Sequence, residues 1–185
     1  MAALLGAAAL LAGCGSDQPK LYGTLTDCTK IGRPTQLDDP GDDQRGRRPG
    51  DPKLTQGDLV SVRIARGPGG LCVEYRTQGT VKPAVAFVLV LRPRTAETPV
   101  VQLETTVLGA ADPAAMIDTG ESGASFRKVA ATIGLQGDHI TVLVTRAEFA
   151  RLGVQKIFDA FRFQARTVAA TSDGGRQTDC APSCQ

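Results

Sequence analysis

Residues 59–76 spell a β-hairpin in pattern and in turn chemistry. Val60, Val62 and Ile64 alternate with Ser61 and Arg63. Arg66-Gly67-Pro68-Gly69-Gly70 follows, and then Leu71, Val73 and Tyr75 alternate with Cys72, Glu74 and Arg76. A strand turns successive side chains to opposite faces, so this period of two calls for a sheet with one covered face. The glycines and proline between the runs supply the backbone angles of a tight reversal. The pattern recurs down the chain. Residues 84–91 are apolar on both faces, as in a central strand covered on both sides. Val101, Leu103 and Val107 mark another strand, and Ile140, Val142 and Val144 a further one. Phe161, Phe163, Ala165 and Thr167 alternate with Arg162, Gln164 and Arg166. Residues 21–25 offer a short first strand. Residues 126–133 lose their alternation at Arg127-Lys128, where a bulge fits. Thr145-Arg146-Ala147-Glu148 is a capping-box pattern and Gly153 a stop, which predicts one short helix. Residues 38–53 and 109–124 read as loops, and the tail to Gln185 is polar. Short strands with almost no helix predict an all-β fold, an antiparallel β-sandwich of immunoglobulin-like or jelly-roll-like type.

The amino terminus says where such a domain belongs. Residues 2–13 are uncharged and apolar, and they end Leu11-Ala12-Gly13-Cys14. This resembles the signal of a bacterial lipoprotein. Small residues let a signal peptidase approach the backbone, and the cysteine thiol takes a diacylglycerol. The run is too short to span a bilayer, which needs about 20 residues. It fits the apolar part of an export signal. No basic segment precedes it, so the expected start lies a few codons upstream. The expected organisation is a signal peptide over 1–13, a tether over 14–20 and a β-sandwich over 21–185. Cys14 would be the lipidated residue, and the protein would sit on the extracytoplasmic side of a bacterial membrane.

Without Cys14, four of the five cysteines remain: Cys28, Cys72, Cys180 and Cys184. An even count in an exported chain reads as two disulfides, with three pairings open. Their spacings match no ordinary four-cysteine zinc motif, and His139 is the sole histidine. If Leu71, Val73 and Tyr75 face the core, Cys72 faces outward. Its partner then lies on a segment packed over that outer face, either the stretch with Cys28 or the tail with Cys180 and Cys184. The net charge of +2 gives no argument for a nucleic-acid partner.

The two ends of the β region resemble a known group. Asp39-Pro40-Gly41-Asp42-Asp43 is followed by Gly57-Asp58-Leu59, and the finish reads Phe161-x-Phe163-x-Ala165-x-Thr167, then Asp179-x-Ala181-Pro182. Over residues 38–182 this looks like the secreted bacterial β-sandwiches related to glucodextranase C-terminal and DOMON-like domains, which include carbohydrate-binding-module-family-9-like domains. The resemblance implies a non-catalytic sandwich, sometimes with bound calcium or sugar. The chain departs from it in having no tryptophan and only two tyrosines, Tyr22 and Tyr75. Sugar-binding faces usually stack rings on exposed aromatics, and Tyr75 points to the core by pattern.

Three groups could carry chemistry. Asp39, Asp42, Asp43 and Asp58 could offer carboxylate oxygens to calcium, a hard cation that takes several. Their alternative role is turn chemistry, with Arg45, Arg47 and Arg48 as internal partners. Asp118-Thr119-Gly120 has the form of an aspartic-protease triplet, but Glu121 and Pro113 do not suit that setting, and the reading as a glycine-rich turn is preferred. His139 falls on the polar face of its strand. No Gly-x-Ser-x-Gly motif or redox Cys-x-x-Cys is present. The function expected is a lipid-anchored, non-enzymatic module that binds an unknown protein or small ligand. The alternatives are a structural spacer or accessory subunit of an envelope complex, and a hydrolase using Asp118.

Overall fold

The hairpin is formed by β2 (Leu59–Gly67) and β3 (Gly70–Thr77), joined across Pro68-Gly69. The computed structural model describes residues 23–39, 57–93, 100–108, 112–119, 126–154, 161–170 and 176–182. Within these, one sheet has five strands in the order β1 (Pro34–Asp38), β2, β3, β9 (His139–Thr145), β8 (Ala131–Gln136). The other has six: β11 (Arg176–Ala181), β10 (Phe161–Ala170), β4 (Val85–Pro93), β5 (Val101–Val107), β6 (Ala114–Asp118), β7 (Arg127–Val129). Every neighbouring pair is antiparallel. The two sheets pack as a sandwich, as the alternation requires.

The inward faces make one core. Val62, Ile64, Val73, Tyr75, Ile140 and Val142 meet Phe87, Leu89, Leu103 and Ile117, all fully buried. Each large apolar side chain so buried contributes about 1.5–3 kcal/mol. The Tyr75 and Phe87 rings lie 5.1 Å apart at a tilt of 52°, a favourable aromatic geometry. Burial pushes the Tyr75 phenol upward, so it stays neutral. β4 is central and covered twice, as its sequence predicts. Its outward Val88 and Val90 are only 2% and 5% exposed. The Arg166 Nη2 to Gln102 Oε1 hydrogen bond, 2.9 Å, spans from β10 to β5 directly over this strand.

Four expectations are corrected. Of the strand expected at 21–25, residues 21–22 lie outside the described residues and 23–25 form no strand; the first strand is β1. The stretch runs over the face of the sheet instead of along its edge. Thr26 N–H donates to Thr141 Oγ1 at 2.9 Å, a side-chain acceptor rather than a ladder carbonyl. Close passage is allowed because Gly134 has no Cβ, which would stand 2.5 Å from the Thr24 carbonyl oxygen. Next, the loop at 109–124 contains β6, where Ala115 and Ile117 enter the core. Then residues 126–133 are two strands in different sheets, β7 and β8, so the lost alternation marks a change of sheet and not a bulge. The bulge lies at Leu59/Ser61. It turns Leu59 and Val62 both inward and leaves Val60 44% exposed, off the core face. Last, the polar tail contains β11, whose inner face carries Gln177 and Asp179.

The short helix α1 (Arg146–Arg151) begins as its capping pattern predicts, with Glu148 N–H donating to Thr145 Oγ1 at 3.2 Å. Glu148 does not reach back to its own cap. Its Oε1 accepts from Ala130 N–H at 2.8 Å, fixing the crossing between β7 and β8. Arg151 grips the same carboxylate at 2.6 and 2.7 Å. These bonds, Arg151 first and the Ala130 amide second, hold the Glu148 carboxyl down at about 2. A depressed folded-state value stabilises the fold above the ordinary value of 4.5 and is lost as pH falls towards 2. Replacing Glu148→Gln should cost about 1–3 kcal/mol at neutral pH. It should also flatten the acid limb of a denaturation series between those two pH values; an unchanged limb would show that Glu148 contributes nothing there.

Cys72 faces outward and is bonded to Cys28, with Cα atoms 5.3 Å apart. Cys28, Ala65 and Cys72, backed by Ile31 and Leu143, form a small second core on the outer face of the five-stranded sheet. The amino-terminal segment thus makes a strap across this sheet. It meets the hairpin turn backbone to backbone, since a Cβ on Gly67 would lie 2.0 Å from the Ile31 carbonyl oxygen. The pair Cys28→Ala and Cys72→Ala should lower stability by about 2–4 kcal/mol in a denaturant titration. A loss well under 1 kcal/mol would mean that the strap is held by packing alone.

Candidate functional site

Among the described residues, two places on the sandwich gather functional groups. The first is where its two sheets meet at one edge. Asp39 follows β1 and its N–H reaches the Val60 carbonyl at 3.4 Å. Asp58 precedes β2, and its carbonyl accepts from Gln78 N–H at 2.8 Å. Asp179 comes from β11 in the opposite sheet, and its Oδ2 accepts from Leu59 N–H. Thr167 Oγ1 donates to the Gly57 carbonyl, clamping the approach to β2 onto β10. Carboxylate oxygens of Asp39, Asp58 and Asp179 lie within 4.8 Å of one another. Asp58 and Asp179 are buried and Asp39 is half-buried. Each of the three has further partners besides these. Three carboxylates this close repel one another when ionised, and a cation or a basic side chain among them would relieve that repulsion.

Of the four aspartates expected together, Asp39 and Asp58 lie side by side here. Asp42 and Asp43 lie outside the described residues. Asp179 was not in the predicted set, although it stands in the closing motif quoted above. Its signal is a lone acid among the inward positions Gln177, Asp179 and Ala181, where a strand would ordinarily place apolar residues.

The second place is a trough on the outer face of the six-stranded sheet, about 330 Å³ in volume. β4 is low here, because Ala86 is small and Ala84 precedes the strand. The neighbours stand taller. Glu104, Thr106 and Leu108 make the β5 wall, and Arg166, Val168 and Arg176 the opposite one. Leu108 is 58% exposed at the rim. Ala84 has φ +73°, a left-handed conformation that a residue with a Cβ seldom adopts. It is held there by its N–H to the Val107 carbonyl, 2.8 Å, and by its own carbonyl, which accepts from Ala170 N–H at 3.1 Å. Strain of this kind collects at functional sites.

The remaining sites are quickly placed. Asp118 ends β6 opposite Gln102, facing outward, while Gly120 lies outside the described residues. His139 is half-exposed on its strand, with Nδ1 2.8 Å from Asp138 Oδ1. Cys180 is disulfide-bonded, and its partner is not among the described residues. Cys14 and Cys184 also lie outside them.

With this geometry in hand, comparison with known proteins adds no identity: no protein-family model matches the chain, and neither a curated protein nor a solved structure matches it.

Proposed function

We propose that this chain is a lipid-anchored, non-enzymatic binding module of the bacterial cell envelope, with the trough as its ligand face. The trough carries the reading. Its volume falls within the usual range for small-ligand sites, about 300–1,000 Å³, and it combines an apolar floor with few polar groups. The disulfides suit an exported protein. The strap supports the arrangement as well. The amino-terminal segment lies on the outer face of one sheet, and the trough opens on the outer face of the other. Gly23 stands nine positions after Cys14, a reach of at most about 30 Å. A tether from an acylated Cys14 would therefore hold the domain by the layer opposite its ligand face. Replacing Cys14→Ser should move the protein from the membrane fraction to the soluble one; retention in the membrane fraction would remove the anchor.

The same reading gives the aspartate cluster a structural calcium ion. Asp39, Asp58 and Asp179 offer hard oxygen donors from both sheets, the donor type calcium takes, and the family resemblance points the same way. The ion would clasp β11 to the start of β2. The competing source of positive charge is Arg45, Arg47 and Arg48. Calcium should raise the melting temperature and a chelator should lower it, both effects vanishing in Asp179→Asn. A melt indifferent to calcium, but lowered when the three arginines become glutamine, would assign the cluster to internal ion pairs.

A further inference from the structure

We propose that the trough takes a zwitterion with a small aliphatic body, an α-amino acid or dipeptide, its ammonium at Glu104 and its carboxylate at Arg166 and Arg176. The proposal rests on reading the trough as the ligand face. The floor is aliphatic, built from Ala84, Ala86 and Val88. Among the described residues no aromatic side chain lines it, so they offer no stacking surface for a sugar or a nucleobase. The two walls carry opposite charge. The register Arg166–Val88–Glu104 places acid and base in a single cross-strand row, two strand spacings or about 9.6 Å apart at Cα.

These groups share the trough without pairing. Arg166 sends Nη2 to Gln102, and its Nε is buried without a hydrogen-bond partner. The Glu104 side chain is half-buried and, among the described residues, makes no hydrogen bond or ion pair, and the Arg176 side chain makes none either. A half-buried carboxylate gains from any donor that reaches it, and charge-assisted bonds are the stronger kind. Charge complementarity selects among ligands. A simple anion satisfies the arginines but confronts Glu104. A simple cation does the reverse. A zwitterion spanning the row meets both walls, while its side chain covers Ala86 and Val88.

The test is calorimetric titration of the purified full-length protein with L-valyl-L-leucine, its N-acetyl form, its C-terminal amide and octanoate. Saturable binding of the dipeptide is expected. Blocking either end should weaken it about tenfold or more, the loss of one charge-assisted bond. Glu104→Gln should erase the penalty for N-acetylation, and Arg176→Gln should reduce the penalty for amidation. Ala86→Leu should fill the trough and abolish binding. Octanoate binding as tightly as the dipeptide, with the same loss in Ala86→Leu, overturns the zwitterion and keeps the trough as ligand face. Dipeptide binding that survives Ala86→Leu lies elsewhere and overturns both. No binding by any probe overturns the zwitterion alone, since the envelope reading is judged by fractionation of Cys14→Ser.

Discussion

A strand that is apolar on both faces must be covered twice, and much of this molecule is arranged to cover β4. Its inner face, with Phe87 and Leu89, closes the sandwich core. Its outer face has no third layer of secondary structure among the described residues. The cover is made by side chains, as Arg166 reaches across the strand to Gln102. Long polar residues shield apolar surface with their stems while keeping their heads near water. That solution works over Val90. From Val88 to Ala84 the floor opens and the trough begins. Cover and cavity are thus two halves of one packing solution.

The second constraint acts between layers. A sandwich must join sheets that share no backbone ladder. Here β1, β2 and β11 meet at a common edge through carboxylates rather than apolar contact alone. Asp179 satisfies the Leu59 amide, and Asp39 and Asp58 gather beside it. Buried polar contacts of this kind are costly when incomplete and specific when complete. They also fix which edge of one sheet lies against the other, a choice that apolar packing leaves comparatively open.

Much of the fold is legible because period two is a local signal. The alternation in β2, β3, β9 and β10 can be read along the chain, as can the doubly apolar β4. The outward phase of Cys72, and so the need for a partner lying over that face, followed from the same alternation. The misses have physical reasons. β6 is short and sits among glycine, alanine and proline, which mask its pattern. A chain that leaves one sheet for the other at Ala130 breaks alternation just as a bulge does, so only the three-dimensional pairing separates the two. β11 inverts the rule by turning Gln177 and Asp179 inward. For the acidic cluster, proximity in sequence found Asp39 and Asp58. Asp179 arrives from 120 residues beyond Leu59, which no local pattern encodes.

The strap has a mechanical meaning. In the five-stranded sheet β3 is the middle strand, and Cys72 ties it covalently to Cys28. Tension entering at the amino-terminal side therefore bypasses the exposed edge strand β1. It arrives at the centre of the layer, flanked on both sides by hydrogen-bonded neighbours. Peeling an edge would break bonds one after another, whereas dislodging the middle strand would strain two ladders together. A domain pulled by its leading end would in this way meet force at its most resistant point.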